Sequence, residues 1–595
     1  MKTSIHTKPM RNENAVSRNG VVGLSLEPSI FLVFFACLEL VLPLKGFSQL
    51  VPPTLDPSGR SGEPPALEKQ IPPKPIPPPE RILPPPPAID PSRQRLPLIR
   101  VFIKDIQVIG STVFTQEELD EVIAPYVNRE LTTEDLQKIR QALTLLYVNK
   151  GYINSGAVLP DQTVQDGVVT IQIIEGELTD VQVEGTKHFF PFYLESRIRL
   201  SAGTPLNIYE LRKRLQLLLQ DRRFKRVNAE LKPGLKPGQS ILLVKVEEAS
   251  PYKMWTDLNN FQSPTVGAER GSATISHQNL IGLGDIFTVT YGKSDGLDPQ
   301  FETSYLLPLS PWDTTLLVQY RKNDFAIVEA PFDTLNLKSE SEIVHFSIRQ
   351  PLYRTLEQEL AVSLGFERLR SQIFLSNVGT NIFTPGAKPN GESVVSALRF
   401  VQEWTNRQRQ DVMALRSQMS WGIDILDATN NGGSLPDTQF FSWQGQAQWA
   451  HRFDPSGIQL LSRMILQYAN DRLFPLEQSA VGGRYSVRGY RENQLVRDNA
   501  FVFSVETRIP LLPGMLGPVN LQFAPFLDVG RAWVAKGVNP DPETLASVGL
   551  GLRASIFDRA HFSIYWGLPL NHVPTTGGNL QDDGIHLQLV VNVLD

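Results

Sequence analysis

The feature that most constrains the fold is a period-two alternation of apolar and polar residues, which runs from about residue 252 to the end of the chain. It is clear in Phe441–Trp449, Phe501–Arg508 and Ile585–Val593. Successive side chains of a β-strand point to opposite faces, so this pattern predicts strands with one apolar and one polar face. A membrane β-barrel has such strands, and so does a soluble antiparallel sandwich.

Aromatic residues near the predicted strand ends favour the membrane barrel, because tryptophan and tyrosine gather at the two membrane interfaces. These residues are Trp312, Tyr320, Trp449, Trp533, Tyr565 and Trp566. The polar, glycine- and proline-containing segments Gly379–Glu392 and Asp427–Thr438 are predicted to be external loops. Residues 251–595 are therefore predicted to form a transmembrane antiparallel β-barrel.

Two segments precede the folded part of the chain. Residues 1–48 combine basic residues with a short apolar run and are predicted to be an export signal. The only cysteine, Cys37, lies in this segment, so the exported chain would contain no disulfide. Residues 49–98 are rich in proline and are predicted to be an extended periplasmic linker in the polyproline II conformation.

Residues 99–176 and 177–250 show the same order of predicted elements, β-α-α-β-β, which indicates two stacked α+β modules. In the first module, Thr115 and Glu118 form a capping box for one helix, and Thr132 or Thr133 caps the next. In the second module, Asn207 is the predicted N-cap of the second helix. A single strand is predicted to span residues 101–108.

Enzyme signatures are missing from the sequence. It contains no His-Glu-x-x-His, no Gly-x-Ser-x-Gly, no phosphate-binding glycine loop and no paired-cysteine metal site. A net charge of −5 gives no reason to expect nucleic-acid binding. We therefore expect neither catalysis nor a cofactor nor a bound metal ion.

One arginine and one aspartate near the C-terminal end are candidates for a functional contact. Arg488 follows paired glycines in Gly482–Tyr490, which predicts a loop that folds back on itself. Asp528 lies in a strand-like segment, where alternation can direct it into the lumen of a barrel. An enclosed lumen favours a bidentate arginine–carboxylate pair that holds the loop in place. Alternatively, Arg488 is a solvated surface charge.

The order of motifs resembles the signature of the outer-membrane protein-translocating barrel superfamily. That signature comprises Val487-Arg488-Gly489-Tyr490 and then Phe526-x-Asp528-x-Gly530. Two further segments resemble the first and second polypeptide-transport-associated (POTRA) domains of two-partner secretion transporters, which export haemolysins and filamentous haemagglutinins. These segments are Gly151–Gly176 and Phe224–Gly234.

The resemblance implies two periplasmic POTRA domains followed by an antiparallel barrel of about 16 strands in the lipid of the outer membrane. It also implies that Arg488 lies at the tip of a loop inside the pore and that Asp528 on the barrel wall holds it. The implied partner is a secreted exoprotein with a β-helical N-terminal secretion domain, and the barrel-assembly machinery would insert the transporter. Family members often carry a pore-plugging helix, which the proline-rich segment 49–98 does not predict.

The POTRA domains are predicted to capture the unfolded partner by β-augmentation at a sheet edge beside a helix. The predicted edges are Gly156–Leu159 and Arg226–Leu231. The candidate contact residues are Leu143, Tyr147, Ser155, Val158, Leu211, Leu215 and Val227. The leucines on the helices can instead build the core of each domain.

Two other functions fit part of the sequence. A factor that inserts other barrels into the outer membrane shares the loop motif, but such factors usually carry more POTRA domains. A passive porin accounts for the barrel and leaves the two periplasmic modules unexplained.

Overall fold

A computed structural model describes residues 100–595, except for residues 331, 376–383, 434, 514, 516, 558, 576 and 595. The predicted export signal and proline-rich linker lie outside the described residues, as does part of the predicted external loop Gly379–Glu392.

The first module is a three-stranded sheet covered by two helices, with a separate two-stranded ribbon. The sheet order is β2-β5-β4, in which β2 is parallel and β4 antiparallel to β5. The elements are β1 (Arg100–Ile103), β2 (Asp105–Ile109), α1 (Gln116–Ile123), β3 (Arg129–Thr132), α2 (Thr133–Asn149), β4 (Gly156–Val158) and β5 (Val168–Ile174). The capping boxes at Thr115 and Thr132 are both present.

The prediction of one continuous strand over residues 101–108 is wrong. The N–H of Lys104 donates to the carbonyl oxygen of Gly167 (2.7 Å), and the chain changes partner at this point. Strand β1 pairs with β3, which the sequence analysis missed, whereas β2 pairs with β5. A pattern of alternating residues does not reveal that a strand exchanges one neighbour for another.

The second module repeats this topology with the sheet order β6-β8-β7. Its elements are β6 (Glu177–Glu184), α3 (Pro191–Arg199), α4 (Ile208–Leu219), β7 (Phe224–Pro233) and β8 (Gln239–Glu248). Strand β6 is parallel and β7 antiparallel to the central strand β8. The Asn207 side chain accepts a hydrogen bond from the N–H of Tyr209 and caps α4.

A glutamate occupies an equivalent position in each module, near the end of the central strand. The Glu175 carboxylate accepts hydrogen bonds from the backbone N–H groups of Thr112 (2.6 Å) and Val113 (3.2 Å). Glu248 accepts from the N–H groups of residues 187–189 at 2.7–3.1 Å. Burial alone would raise the pKa of each carboxyl, but these hydrogen bonds outweigh burial and hold both pKa values below the usual range.

Most of the predicted partner-binding residues of the two modules lie in their hydrophobic cores. Leu143 and Tyr147 belong to the core of the first module. Leu211, Leu215 and Val227 belong to the core of the second. Their assignment to a binding surface is therefore wrong, because a side chain enclosed by its own domain has no surface to offer a captured chain.

The remaining two candidates differ in exposure. Ser155 is buried, and its hydroxyl accepts a hydrogen bond from the N–H of Gly176 (2.8 Å), so its role is internal to the fold. Val158 is 41% exposed at the end of β4 and alone of the seven candidates has a side chain that a partner can reach.

Residues from Tyr252 onwards form a closed antiparallel barrel. Strands β23 (Val519–Phe523) and β24 (Phe526–Trp533) are two parts of one interrupted strand, because both pair with β22 (Asn499–Leu511) on one side and with β25 (Thr544–Ile556) on the other. Counted in this way, the barrel has 16 strands, as the resemblance implied. The last strand, β27 (Ile585–Leu594), pairs with the first, β9 (Tyr252–Asn259), and closes the barrel.

The barrel strands are β9 (Tyr252–Asn259), β10 (Arg270–His277), β11 (Ile286–Lys293), β12 (Leu297–Pro308), β13 (Thr315–Ala326), β14 (Leu337–Arg354), β15 (Gln358–Leu375), β16 (Glu392–Arg407), β17 (Asp411–Ile423), β18 (Phe441–Phe453), β19 (Ile458–Ala469), β22 (Asn499–Leu511), β23 (Val519–Phe523), β24 (Phe526–Trp533), β25 (Thr544–Ile556), β26 (Ala560–Pro569) and β27 (Ile585–Leu594). Two short strands lie between β19 and β22: β20 (Ser479–Val481) and β21 (Leu495–Arg497). Among the described residues, no helix has the length and apolar character that crossing a membrane requires.

Alternation along each strand separates the two faces of the barrel wall. On β24, Leu527 is exposed on the outside, whereas Asp528 is buried on the inside. On β22, Ser504 and Glu506 are buried and face inward. The outer face is therefore apolar and the lumen polar, which is the arrangement of a barrel in lipid.

The second module contacts the turns at one end of the barrel. The Arg197 guanidinium forms an ion pair with Asp313 (3.2 Å) in the turn between β12 and β13. The N–H of Phe190 donates to the carbonyl oxygen of Gly282 (3.0 Å) in the turn between β10 and β11. These contacts fix the module against the rim of the barrel.

We predict that Glu248→Gln lowers the stability of the second module by about 1–3 kcal/mol at neutral pH, because the amide replaces an acceptor by an N–H group that faces other donors. The contribution of a carboxyl with a lowered folded pKa is complete above its unfolded pKa of about 4.3 and is lost as the pH falls through the folded pKa. The difference from wild type should therefore shrink below about pH 4. Pulse proteolysis of the full-length protein in urea, with thermolysin at neutral pH and pepsin at acid pH, measures this difference in the free energy of unfolding.

The exposed neighbour Glu247 provides a matched control, since Glu247→Gln removes the same charge from the same strand. An equal loss of stability in both variants, or a difference that does not change with pH, would contradict the assignment.

Candidate functional site

The segment between β19 and β22 folds into the barrel lumen. We call residues 470–498 the inserted loop. Strands β20 and β21 pair with each other within it, which makes it a hairpin whose tip includes Arg488. Asp498 accepts a hydrogen bond from the N–H of Leu473 (2.9 Å), and Gln467 donates to the carbonyl oxygen of Glu477 (2.9 Å). The first contact closes the base of the inserted loop, and the second secures the loop to β19 of the barrel wall.

At the tip of the inserted loop, Arg488 and Asp528 form a bidentate ion pair. The Nε atom lies 2.7 Å from Oδ2 and the Nη2 atom 2.8 Å from Oδ1. The backbone N–H of Arg488 also donates to Oδ2 (3.0 Å). Both side chains are buried, so Arg488 is not the solvated surface charge of the alternative reading. The structure therefore brings together the two charged residues that the sequence analysis singled out.

Neighbouring residues complete the surroundings of the guanidinium group. Glu506 forms a second ion pair with Nη1, and the Ser504 hydroxyl accepts from Nη2 (3.2 Å) and donates to Asp528 (2.6 Å). The ring of Phe526 lies under the guanidinium plane, 3.6 Å from Cζ, in a cation–π contact. We call Arg488, Asp528, Glu506 and Ser504 the tip anchor.

Two glycines of the predicted motif allow the loop to approach the wall. Gly489 has φ +90°, and a Cβ atom there would lie 2.8 Å from the carbonyl oxygen of Gly567 on β26. A Cβ atom at Gly530 would lie 2.5 Å from Val481 and 2.7 Å from Val487. Any larger side chain at either position would push the inserted loop away from the wall.

Val487 and Tyr490 pack the same tip by apolar contact. Both are buried in a cluster with residues of β22 and β24. The Tyr490 hydroxyl lies 2.9 Å from the carbonyl oxygen of Ala546 and accepts a hydrogen bond from the N–H of Asn571 (3.1 Å). All seven residues of the predicted motif thus lie in or directly against the tip of the inserted loop.

A second arginine holds the base of the loop to another part of the barrel wall. Arg399 on β16 forms a bidentate ion pair with Glu477 of the inserted loop, at 3.0 and 2.6 Å. Its Nε atom also donates to Glu367 on β15 (2.8 Å). We call these three residues the wall anchor. Since the tip and wall anchors lie on β22–β24 and on β15–β16, the loop is attached to two parts of the barrel wall that β17, β18 and β19 separate.

A third arginine links the inserted loop to two other loops at the far mouth of the barrel from the POTRA modules. Arg491 pairs in bidentate fashion with Asp582, with an Nη2–Oδ2 distance of 2.8 Å, and also with Glu329. Gln581 donates to the carbonyl oxygens of Asn260 (2.6 Å) and Gln262 (2.7 Å). We call Arg491, Asp582 and Glu329 the mouth anchor. These contacts join four loops: the inserted loop and the loops between β9 and β10, between β13 and β14, and between β26 and β27.

Beside the inserted loop, the lumen contains a cavity of about 540 Å³. Glutamine, serine, arginine and glutamate side chains of β13–β19 form one side of it, and Gln478, Tyr485 and Asn493 of the inserted loop form the other. The lumen is therefore polar and partly filled, and the inserted loop is the element that narrows it.

The wall and mouth anchors were missed by the sequence analysis, as were Ser504 and Glu506 as partners of Arg488. The alternating pattern predicted that Ser504 and Glu506 lie on a polar face of their strand, but it did not predict that they contact Arg488. Glu477 and Arg399 are separated by 78 residues, and no local motif marks either of them. Among the described residues, no group of three or more His, Cys, Asp or Glu side chains is arranged to hold a metal ion.

These features define a class of protein. Two modules of β-α-α-β-β topology precede a closed 16-stranded barrel, and an arginine-tipped loop enters a polar lumen. This is the class of outer-membrane translocators in which POTRA modules lie in the periplasm and the barrel spans the outer membrane.

Comparison with known proteins places the chain within that class. Residues 238–554 match the family described as haemolysin secretion/activation protein ShlB/FhaC/HecB. Residues 101–176 match the POTRA domain of ShlB type. Since the first match spans more than half of the chain, the protein belongs to this family of two-partner secretion transporters.

Individual relatives are distant in sequence. The outer membrane transporter CdiB of Escherichia coli is 23% identical over 411 residues, which cover 67% of each protein. The hemolysin transporter protein ShlB of Serratia marcescens is 21% identical over 428 residues, 70% of this chain and 72% of that one. The solved structure of CdiB from Escherichia coli has a TM-score of 0.62 at 22% identity and covers 85% of this chain and 92% of its own. The family members are transporters, and this protein is not an enzyme.

We predict that Arg488→Gln and Asp528→Asn each release the tip of the inserted loop while the barrel remains inserted. Removing one partner of a buried ion pair costs about 3–5 kcal/mol, a factor of roughly 10² to 10⁴ in the balance between held and released loop. The double variant should be no worse than either single variant, because the two groups act as a unit. Single-channel recordings in planar bilayers measure the conductance, and release of the loop should appear as larger and longer openings.

Two further variants test the specificity of this effect. Arg531→Gln removes an exposed arginine of β24 that pairs with Glu543, outside the inserted loop, and its conductance should match wild type. The effect of Arg399→Gln, which breaks the wall anchor, should add to the effect of Arg488→Gln. Wild-type conductance in Arg488→Gln would rule out the tip anchor as the element that holds the loop.

Proposed function

We propose that the protein captures an unfolded secreted partner in the periplasm through its POTRA modules and exports it through the barrel lumen. The observation that carries the proposal is the outer edge of β7 in the second module. Among the described strands, β7 pairs only with β8, so its other edge is open for the main chain of a partner. The same module is fixed to the rim of the barrel through Arg197 and Asp313.

The chemistry of this edge suits a partner of variable sequence. Strand β7 is ten residues long, and its exposed side chains, apart from the terminal Pro233, are polar or charged. These exposed residues include Lys225, Arg226, Asn228, Glu230 and Lys232. In β-augmentation the main-chain hydrogen bonds supply most of the affinity, so many extended sequences can bind.

The sheet edge of the first module offers a partner fewer main-chain hydrogen bonds than β7 does. Strand β4 has only three residues, and the N–H of Ala157 already donates to the hydroxyl of Thr144 on α2 (3.1 Å). Val158 is exposed at this edge and can contribute a side-chain contact. We therefore assign the main capture surface to β7 and a guiding contact to β4.

A captured chain would enter the lumen beside the inserted loop. The cavity of about 540 Å³ lies next to the loop and has polar walls, which suit the backbone of an extended chain. Passage would require the inserted loop to move, and its three arginine anchors set the cost of that movement. Folding of the exported chain outside the cell would give the transport its direction.

The proposed partner is a secreted exoprotein with a β-helical N-terminal secretion domain. The support for this partner is membership of the two-partner secretion family, whose transporters pair with secreted exoproteins. We also propose that the barrel-assembly machinery inserts the transporter, since its closed barrel has no free edge by which it could enter lipid strand by strand.

We predict that deleting the protein removes one large, β-rich protein from the culture medium and leaves other outer-membrane barrels unchanged. Comparative proteomics of the medium and the outer membrane measures both. Complementation with wild type and with Arg531→Gln should restore export, whereas Arg488→Gln should restore the barrel but not full export. A general fall in outer-membrane barrels would point instead to an assembly factor, and an unchanged medium to a passive porin.

A crosslinking experiment tests the capture surface itself. A photo-reactive amino acid in place of Asn228 on β7 should crosslink to the partner while it is in the periplasm, because this side chain is exposed along the open edge. The same substitution at Lys138, exposed on α2 of the first module, is the control. Equal crosslinking at both positions would count against capture at β7 and leave export itself to be judged by the proteomic result.

A further inference from the structure

A basic cavity lies where the second module meets the barrel turns that face the periplasm. Its volume is about 290 Å³. Five arginines and two aspartates line it, which gives a net charge of 5 − 2 = +3. They are Arg197, Arg214, Arg222, Arg223, Arg354, Asp221 and Asp313.

The two aspartates are already occupied by three of the arginines. Asp221 accepts from Nε of Arg223 at 2.8 and 3.0 Å. Asp313 lies between Arg197 (3.2 Å) and Arg354 (2.9 Å). Arg354 also pairs with Glu359 (3.2 Å). These carboxylates are therefore used by Arg197, Arg223 and Arg354, and the positive charge that remains at the cavity is that of Arg214 and Arg222.

Arg214 and Arg222 have no carboxylate partner among the described residues. Arg214 is half-buried and donates to the carbonyl oxygens of Arg197 (3.0 Å) and Pro311 (3.3 Å). Burial lowers the pKa of Arg214, and the negative charge of Asp313 raises it. The positive charges of the nearby Arg354 and Arg197 lower this pKa further. A half-buried guanidinium crowded by other guanidinium groups would be stabilised by a bound anion.

Exposed apolar and aromatic side chains adjoin the cavity along the barrel rim. Leu309 and Trp312, in the turn that carries Asp313, are 50% and 64% exposed. Leu352 and Tyr353, which precede Arg354 at the end of β14, are 61% and 54% exposed. Tryptophan and tyrosine at this level of a barrel lie among lipid headgroups, so the basic cavity opens beside the membrane interface.

We propose that this cavity binds the phosphate group of an anionic phospholipid in the leaflet that faces the periplasm, with the lipid's acyl chains against Trp312 and Leu352. Arginine suits phosphate because its planar fork donates two parallel hydrogen bonds. Basic pockets beside membrane spans bind anionic headgroups in the same way. The bound lipid would join the second module, the barrel rim and the membrane, which goes beyond the proposed export function.

Native mass spectrometry of the full-length protein in detergent tests the proposal. The protein is titrated with phosphatidylglycerol, phosphatidylcholine or inorganic phosphate. Wild type should bind phosphatidylglycerol more tightly than phosphatidylcholine, and Arg214→Gln/Arg222→Gln should weaken phosphatidylglycerol binding on the order of tenfold or more. Trp312→Ala should weaken lipid binding without changing the response to inorganic phosphate.

The control variant Arg212→Gln/Arg140→Gln removes the half-buried charge of Arg212 on α4 and the exposed charge of Arg140 on α2, both outside the cavity, and should bind lipid like wild type. Heat-modifiable mobility of the barrel verifies that each variant is folded. Equal affinity for both lipids, or equal losses in the cavity and control variants, would overturn the proposal. Saturable binding of inorganic phosphate with no preference for phosphatidylglycerol would assign the cavity to a free anion and also overturn it.

Discussion

A guanidinium group enclosed in a barrel lumen requires carboxylates and hydrogen-bond acceptors on nearly every side, and the inserted loop depends on that requirement. Arg488 satisfies it with Asp528, Glu506, Ser504 and the ring of Phe526. Leaving such a charge unpaired costs several kcal/mol, so the loop tip has one stable position. The apolar contacts of Val487 and Tyr490 then fill the space around it.

The position of the inserted loop does not depend on the tip anchor alone. The tip, wall and mouth anchors each place one arginine between carboxylates, and each joins the inserted loop to a different part of the barrel. Transport through the lumen requires a change at the tip and wall anchors at least. We propose that the anchors keep the pore narrowed until a partner occupies it, because a polypeptide in the lumen can offer alternative hydrogen bonds as the loop withdraws.

At the periplasmic end of the barrel, arginines attach a POTRA module to the barrel instead of attaching a loop to the barrel wall. Arg197 and Arg223 connect the second module to the turns of the barrel, so the open edge of β7 is held at a fixed position relative to the lumen. The first module carries a shorter, partly occupied edge. The proposed capture surface and the lumen are therefore held next to each other by these contacts, and the proposed lipid site lies at the same junction.

The sequence by itself determined the local features of this protein. Alternation set the two faces of the barrel strands, Thr115, Thr132 and Asn207 set helix starts, and the glycine and arginine motifs marked the loop tip and its wall partner. Only the tertiary structure decided which residues meet across long separations, such as Arg399 with Glu477, and which helix leucines are enclosed. The reason is physical: periodicity and capping depend on neighbours a few residues away, whereas a lumen contact or a domain core depends on which strands and helices pack together.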